Sequence, residues 1–299
     1  MQISIIGTSK ITYDHIQVLQ KKFKIVSISS TRTNSKNLKK IANKFKINTT
    51  FTNWQKSIEY YKNKKNLIFF ITGRIKDNKK ILRECCKYKN KIFIEKPVFI
   101  NSKDFDEFLG NNNKIFVGYN RIFYKNIIFL KNKIKNKKNL NVIVKCPELS
   151  KKQIFTNSCH VISILLFLFG KLYIKRISNS KNYINCTLND KYKNEIYVTF
   201  NLRSSDNFSI EIFQDKIRYL LSPIENLKIF EKIEIKKKKN NFIYKPKQIF
   251  ILNEYNVNNY KPGFENQMKN FFKFCKGKNI INNLLFSKKI IKLCEQIIK

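Results

Sequence analysis

Two short segments near the amino terminus carry residues suited to binding phosphate. The first, Gly7-Thr8-Ser9-Lys10-Ile11-Thr12, follows an apolar run and precedes a helical pattern. In a β-α-β unit, such a turn brings backbone N–H groups and a helix N-terminus to a pyrophosphate, and the leading glycine permits the tight turn. Ser9 and Thr12 replace the later small residues of this pattern. The residues predicted to contact the nucleotide are Gly7, Ser9, Lys10 and Ile11.

The second segment, Ser29-Ser30-Thr31-Arg32, ends the next apolar run. A dinucleotide fold specific for NAD usually places Asp or Glu here to bind the ribose 2′-hydroxyl. Hydroxyls and a guanidinium suit a 2′-phosphate instead. Ser30, Thr31 and Arg32 therefore predict a preference for NADP(H) over NAD(H). The alternative is that Arg32 is merely an exposed side chain.

Strands and helices that would position these two segments alternate through the first half of the chain. Continuously apolar strands suit a parallel sheet that is covered on both faces, and strict β-α alternation predicts a doubly wound sheet. The predicted strands are Gln2–Gly7, Lys24–Ser29, Asn66–Thr72, Lys91–Glu95 and Lys114–Gly118. The predicted helices are Thr12–Lys22, Asn34–Phe45 and Asp77–Tyr88.

The alternation of strands and helices ends after Arg121, which predicts a boundary between a first domain at 1–120 and a second at 121–299. The alternative is that the carboxy-terminal helices pack back on the first domain. The second half reads as an α+β domain with a large open, mainly antiparallel sheet. Its predicted strands are Leu172–Ile177, Tyr183–Leu188, Glu195–Leu202, Phe208–Phe213, Ile217–Leu221, Leu227–Ile235 and Phe242–Leu252. Its predicted helices are Phe123–Lys135, Cys159–Phe169 with a glycine cap at Gly170, Gly263–Lys276 and Leu284–Ile298. Lys236–Asn241 is interpreted as a hairpin loop.

The formal net charge of +41 over 299 residues raises the possibility of a polyanion partner. Arginine, however, occupies only seven positions, while lysine, asparagine and isoleucine are abundant throughout. An AT-biased genome would produce that pattern, so we expect no specific nucleic-acid partner.

The longest apolar stretch is about half of the ~20 residues that a spanning helix needs, and no leader is recognisable. A cytoplasmic protein without a membrane association is predicted.

The seven cysteines include no Cys-x-x-Cys pair, and only His15 and His160 could assist them in binding a metal. An odd number of cysteines in a chain of this kind argues for reduced thiols that are mostly buried. No metal site is predicted.

A third motif, Glu95-Lys96-Pro97 at the end of a predicted strand, is the point at which the chain resembles the Gfo/Idh/MocA oxidoreductases. This family includes glucose-fructose oxidoreductase and inositol 2-dehydrogenase. The resemblance extends over nearly the full length. It rests on the Gly7 turn with His15 on the first helix, Thr72-Gly73, Glu95-Lys96-Pro97, Val117-Gly118-Tyr119-Asn120-Arg121, and Asn157-Ser158-Cys159-His160-Val161-Ile162 before Leu168-Phe169-Gly170.

The resemblance implies a Rossmann domain followed by an α/β substrate domain, with nicotinamide over the cleft between them. It implies an NAD(P)-dependent dehydrogenase that acts on a hydroxyl or keto carbon of a sugar, a cyclitol or a nucleotide-linked sugar. Glu95 and Lys96 would line the nicotinamide side, and Asn120 would help to order the site. Thr72 and Asn78 are added to the cofactor-binding set. Relatives also suggest a homodimer or homotetramer through the carboxy-terminal sheet.

Hydride transfer from a carbinol carbon requires removal of the hydroxyl proton by a group whose pKa lies near the working pH. Histidine, near ~6.5, meets this condition more readily than lysine, near ~10.4. His160 is therefore predicted as the acid/base and Lys96 as the hydroxyl ligand, and the reverse assignment stays open. His15 is interpreted as a structural histidine.

Three positions depart from the family pattern. Many relatives carry Asp four residues before and three residues after the histidine, where this chain has Thr156 and Ser163. Such carboxylates would hold the imidazole and stabilise its charged form. Their loss leaves open a catalytically weakened homologue that still binds nucleotide. Asn78 likewise stands where histidine is frequent.

Overall fold

Each of two units in the chain contains its own β-sheet. The computed structural model describes residues 1–32, 35–239, 241–256 and 260–299. One unit comprises residues 1–120 and 263–295, and the other comprises residues 121–262 and 296–299. Asn34, where the predicted second helix begins, and Asn240, in the predicted hairpin loop, lie outside the described residues.

The sheet of the first unit is parallel throughout, with the strand order β3-β2-β1-β4-β5-β6. Its strands are β1 (Gln2–Ile6), β2 (Lys24–Ser29), β3 (Thr50–Phe51), β4 (Leu67–Ile71), β5 (Lys91–Ile94) and β6 (Ile115–Val117). The predicted doubly wound sheet is confirmed. Because the strand order reverses beside β1, the loops after β1 and β4 diverge at the carboxyl edge of the sheet. Open α/β sheets bind their ligands in that crevice.

Helices occur in both units, and residues 263–295 near the end of the chain belong to the first unit. The described part of the chain contains α1 (Lys10–Leu19), α2 (Lys36–Lys44), α3 (Trp54–Tyr61), α4 (Ile75–Cys86), α5 (Lys125–Ile134), α6 (Cys159–Phe169), α7 (Phe264–Cys275) and α8 (Leu284–Ile298). It also contains 3-10 segments at Ser102–Asn111, Arg121–Phe123 and Glu254–Asn256, and a π-helical turn at Ile154–Ser158. The predicted cap at Gly170 is confirmed, because its φ is +79° and its N–H donates to the Leu166 carbonyl at 3.0 Å.

A layer of phenylalanine rings supports the carboxyl half of the first sheet. Phe70, Phe93 and Phe116 are paired across β4, β5 and β6, and their neighbouring ring centroids lie 4.0 and 5.7 Å apart. Phe271 of α7 packs edge-on against Phe93 at 5.3 Å. All four rings are fully buried. Close aromatic pairs of this kind add ~0.5–1.5 kcal/mol each beyond area burial, so the ends of β4 to β6 are firmly held.

The second unit contains an eight-stranded, mainly antiparallel sheet in the order β14-β13-β12-β11-β7-β10-β9-β8. Its strands are β7 (Asn141–Glu148), β8 (Tyr173–Asn179), β9 (Tyr183–Asn189), β10 (Glu195–Leu202), β11 (Ser209–Gln214), β12 (Ile217–Leu221), β13 (Asn226–Lys238) and β14 (Asn241–Asn253). Alternate residues of β7 are buried and exposed. The predicted α+β class is therefore confirmed, with one face of the sheet covered and the other open.

The structure differs from the predicted second sheet most at β7 and at the run Lys236–Asn241. The central strand β7 was not predicted, and it pairs in parallel with β10 rather than joining a run of antiparallel ribbons. The run Lys236–Asn241 was predicted as a loop, but β13 continues to Lys238 and β14 begins at Asn241. Lys236, Lys237 and Lys238 pair with Ile243, Phe242 and Asn241. A solvent-exposed ribbon accommodates such a run of charged side chains, whereas its composition alone resembles that of a loop.

Candidate functional site

Gly7 follows β1 and lies against the start of the loop after β4. Its φ is +127°, which glycine adopts without steric cost. A Cβ at this position would lie 2.5 Å from the backbone carbon of Thr72 and 2.6 Å from the backbone nitrogen of Gly73. The Gly7 N–H donates to the Ser29 carbonyl at 2.8 Å. A side chain at residue 7 would therefore push the two loops apart.

Hydroxyl groups join the Gly7 turn to the β4 loop. The Ser9 hydroxyl donates to the Thr72 carbonyl at 2.9 Å, and the Thr12 and Thr72 hydroxyl oxygens are 2.9 Å apart. Ser9 precedes α1, and its side chain does not cap the helix. Lys10 and Ile11 form the first turn of α1, where backbone N–H groups have no carbonyl partner within the helix. This end of α1 can therefore receive an anion.

The segment after β2 forms a tight turn next to the β4 loop. The Ser30 hydroxyl accepts from the Arg32 N–H at 3.0 Å and donates to the Arg32 carbonyl at 2.7 Å. Thr31 lies beside Gly73, because a Cβ on Gly73 would be 3.0 Å from the Thr31 methyl group. Ser30 is almost fully buried and Arg32 is exposed. Ser30 thus shapes the turn, while Arg32 presents a guanidinium to solvent.

The start of α2 is attached to the same edge. The Thr8 and Ser35 hydroxyl oxygens are 3.0 Å apart, and the Asn37 amide donates to the Thr8 carbonyl at 3.2 Å. These three residues were not predicted as site residues. Thr8 and Ser35 border segments that the sequence did indicate, but their pairing depends on the spacing of β1 and β2 in the sheet.

Glu95 follows β5 and is held from three sides. Its Oε1 lies 2.5 Å from Nε2 of His15, and its Oε2 accepts from the Lys96 N–H at 3.1 Å. A Cβ on Gly118 would lie 2.8 Å from Oε1, so glycine is needed there for the carboxylate to fit. His15 is fully buried, and its pairing with Glu95 was not predicted. The carboxylate therefore has a fixed position at the edge of the sheet.

Lys96, Asn78 and Asn120 occupy the same edge of the first unit. Lys96 is half-buried, and its backbone is fixed by the Glu95 carboxylate. The Asn78 amide donates to the Val98 carbonyl at 2.9 Å, which connects α4 to the segment after Glu95. The buried Oδ1 of Asn78 has no hydrogen-bond partner among the described residues. Asn120 is buried just beyond β6.

His160 lies in the second unit, in the first turn of α6, and is 7% exposed. The π-helical turn Ile154–Ser158 directly precedes this helix. Such turns are rare and often occur at functional sites. Glu148, at the end of β7 and buried, accepts from the Asn157 amide at 3.1 Å and from the Ser158 hydroxyl. A carboxylate therefore fixes the turn that leads into His160.

Thr156 and Ser163, the two positions at which the family pattern has Asp, carry no carboxylate. The Ser163 hydroxyl donates to the His160 carbonyl at 2.6 Å, so it is bound to its own helix backbone. Glu148 was not predicted as a site residue, although it is the single acidic residue between Arg121 and Asn189 in the sequence. Its isolation in the sequence was the signal that could have identified Glu148 as a site residue.

The described residues contain neither a metal-binding group nor a membrane-spanning helix. No group of three or more His, Cys, Asp or Glu side chains there could hold a metal ion. All seven cysteines are free, and burial raises the pKa of the Cys86 thiol to about 11 and that of the Cys275 thiol to about 12. Within those same residues, every helix is too short or too polar to cross a bilayer.

The carboxyl edge of the first sheet fits a dinucleotide in three respects. Gly7 forms a cradle that a Cβ would fill. The first turn of α1 presents N–H groups suited to a pyrophosphate. The buried Asn78 Oδ1 offers an acceptor for which the described residues supply no donor. Together with the strand order, these features define a Rossmann domain of the dinucleotide-binding class.

Residues 1–114 match the sequence profile of GFO_IDH_MocA, the oxidoreductase family with an NAD-binding Rossmann fold. The resemblance stated from the sequence motifs is thereby confirmed over these residues, which are similar to the nucleotide-binding domain of that family. A search of the curated proteins finds no match.

Solved structures share the fold over the whole chain. A dehydrogenase (MviM) from Clostridium difficile superposes with a TM-score of 0.78 at 18% identity, covering 100% of this chain and 98% of that one. UDP-N-acetylglucosamine 3-dehydrogenase GnnA from Acidithiobacillus ferrooxidans gives 0.75 at 10% identity, covering 99% and 96%. An NAD-binding oxidoreductase from Klebsiella pneumoniae gives 0.76 at 11% identity, covering 99% and 95%. At these identities the likeness concerns the fold.

Proposed function

We propose that this protein is an NAD(P)-dependent dehydrogenase or reductase that interconverts a hydroxyl and a keto group on a sugar, a cyclitol or a nucleotide-linked sugar. The observation that carries the proposal is the backbone approach of Gly7 to Thr72 at the reversal of strand order, with the fixed Glu95-Lys96 segment on the same edge. The substrate class is supported by the sugar-nucleotide dehydrogenase that shares the fold.

The experiment that tests this function is a coupled pair of measurements. Binding of NADPH and NADH to the purified chain is followed by fluorescence, and turnover is followed by absorbance at the nicotinamide band with a panel of sugars, cyclitols and nucleotide-linked sugars. Turnover with one of these classes supports the proposal. Cofactor binding without turnover across the whole panel would favour a weakened, nucleotide-binding homologue, which Thr156 and Ser163 motivate.

The cofactor proposed is NADP(H) in preference to NAD(H), although the family description names NAD. Arg32 is exposed at the end of β2, and no carboxylate stands in the segment Ser29-Ser30-Thr31-Arg32 to repel a 2′-phosphate. A guanidinium forms charge-assisted, bidentate hydrogen bonds to phosphate oxygens. Ser30 serves this site indirectly, because its hydroxyl is bonded within the turn.

We expect Arg32→Ala to raise the dissociation constant for NADPH about 30-fold and that for NADH less than about twofold, since a hydrogen bond to a charged group contributes ~1.5–3 kcal/mol. Titration of cofactor fluorescence measures both constants. Arg83→Ala is the matched control, because Arg83 is an exposed arginine paired with Glu107. Equal weakening of both cofactors by Arg32→Ala would refute the assignment.

Within the proposed reaction, bound nicotinamide supplies the hydride acceptor or donor. Lys96 holds the substrate hydroxyl through its ammonium group, and His160 takes or returns the hydroxyl proton. The reverse assignment of these two roles is the alternative. Glu148 fixes the turn before His160 and so takes over, in part, the positioning that acidic neighbours give in relatives.

The exposed surface of the second sheet is the basis for a proposed oligomeric state. The open face and the projecting β13-β14 ribbon expose large apolar side chains, among them Tyr173, Tyr197, Ile235 and Tyr244. We propose that a homodimer or homotetramer covers this surface. Sedimentation of the purified chain should show a mass of two or four subunits.

We also propose a cytoplasmic location, where free thiols stay reduced. No specific nucleic-acid partner is proposed.

A further inference from the structure

His15, in the middle of α1, is enclosed by aromatic rings. Its ring centroid lies 5.0 Å from Phe70, 5.2 Å from Phe93 and 4.6 Å from Phe264, and no part of the residue reaches solvent. Its Nε2 is 2.5 Å from Oε1 of Glu95. The one polar partner of this buried ring among the described residues is therefore a carboxylate.

The surroundings determine where the ring proton resides. A carboxylate accepts and does not donate, so Nε2 carries the proton of this hydrogen bond. Nδ1 of His15 is buried without a partner in the described residues. A second proton on Nδ1 would place an unsatisfied donor against aromatic carbon, which is costly. The hydrogen bond from Nε2 therefore holds the Glu95 carboxylate in place, while Nδ1 faces the aromatic core.

The Glu95 carboxylate cannot easily turn away from the edge of the sheet. Glu95 follows Phe93 at a spacing of two residues, so its side chain continues the face on which His15 lies. The Lys96 N–H fixes the second oxygen, and the backbone at Gly118 fills the space beside the first. The side chain retains 15% exposure. Glu95 follows the carboxyl end of β5, on the half of a doubly wound sheet that receives the second mononucleotide.

We propose that His15 is a positioning residue that holds Glu95 as a fixed anion, and that this anion makes the site bind the oxidised cofactor more tightly than the reduced one. The inference rests on the proposed function. The nicotinamide ring is positively charged when oxidised and neutral when reduced. A carboxylate held at the nicotinamide half of the site attracts the oxidised ring selectively, since electrostatic interactions are strong in a partly desolvated crevice.

The first test is the ratio of the dissociation constants of NADP⁺ and NADPH, measured by calorimetry and fluorescence. We expect Glu95→Gln to reduce the preference for NADP⁺ about tenfold, because glutamine keeps the shape and removes the charge. Glu107→Gln is the control, since it removes an equal charge from an exposed ion pair with Arg83. The ratio should stay at the wild-type value in that variant.

A third ligand distinguishes a failure of the proposed function from a failure of the inference about Glu95. The fragment 2′-phospho-ADP-ribose lacks the nicotinamide, so Glu95→Gln should leave its affinity within about twofold. If the wild-type chain binds neither this fragment nor NADP(H) nor NAD(H), the proposed function fails and the inference fails with it. If all three bind and Glu95→Gln leaves the NADP⁺ to NADPH ratio unchanged, the inference alone is overturned.

His15 is tested by a pair of substitutions. His15→Gln keeps an N–H near the position of Nε2 and should retain most of the NADP⁺ preference. His15→Phe keeps an aromatic ring but removes the donor, and we expect its ratio to approach that of Glu95→Gln. A purely structural role for His15 would lower the melting temperature of both variants without changing the ratio, and that result would contradict the positioning role. Should His15→Phe fail to fold, His15→Gln and Glu95→Gln still decide the question.

Discussion

Replacing Lys96 with methionine is expected to lower the turnover number about 10³-fold while leaving the dissociation constant of NADPH within about threefold. Lys96 follows Glu95 at the carboxyl edge of the first sheet, and its backbone is fixed by the Glu95 carboxylate. Methionine retains the apolar stem and loses the ammonium that would hold the substrate hydroxyl. Groups positioned for proton transfer or for a developing charge typically contribute ~10²–10⁴-fold.

The measurement is steady-state turnover on the substrate class that the panel identifies, beside cofactor binding by fluorescence. Lys91→Met is the matched control. Lys91 lies at the other end of β5, where its ammonium donates to the Asn113 carbonyl. We expect that variant to turn over at nearly the wild-type rate. Full activity in Lys96→Met would remove Lys96 from the chemistry and reduce the proposal to cofactor binding.

Replacing His160 with asparagine is expected to lower the turnover number by about 10²- to 10³-fold. His160 begins α6 behind a π-helical turn that Glu148 fixes through Asn157 and Ser158. Asparagine can still form a hydrogen bond but cannot take up a proton near neutral pH. Cofactor affinity should change little, since the predicted nucleotide contacts are residues of the first unit.

Ser163→Ala provides the control for His160, because the Ser163 hydroxyl is bonded to the backbone of its own helix. Turnover in that variant should remain within about twofold of wild type. The decisive comparison is between the two main variants. If His160→Asn keeps its activity and Lys96→Met loses it, the lysine is the acid/base and the roles proposed here must be exchanged.

The sequence predicted the first sheet well because its strands are signalled locally. Leu67–Ile71 is continuously apolar and fully buried, as a central parallel strand must be. Lys24–Ser29 was predicted with its observed bounds, and Gln2–Gly7 was one residue too long. The short helix α3 was not predicted. It has only eight residues, it buries Ser57 and Ile58, and the Ser57 hydroxyl oxygen lies 2.9 Å from that of Ser4.

The second sheet was harder to predict at its centre than at its periphery. Glu195–Leu202 and Ile217–Leu221 were predicted with their observed bounds because turns flank them. The central strand β7 follows a run of lysine and asparagine and includes Lys145 and Pro147. Its position between β10 and β11 depends on long-range pairing, which composition does not reveal.

For the candidate site, the sequence by itself determined the turn at Gly7, the hydroxyl and guanidinium groups after β2, and the Glu95-Lys96-Pro97 segment. Each of these is a contiguous motif whose chemistry follows from residue type and spacing. The tertiary structure alone decided that Ser9 and Thr12 bind the Thr72 loop, that His15 holds Glu95, and that Glu148 fixes the turn before His160. Such pairs are separated by up to 80 residues, and only the packing of strands and helices brings their atoms within hydrogen-bond distance.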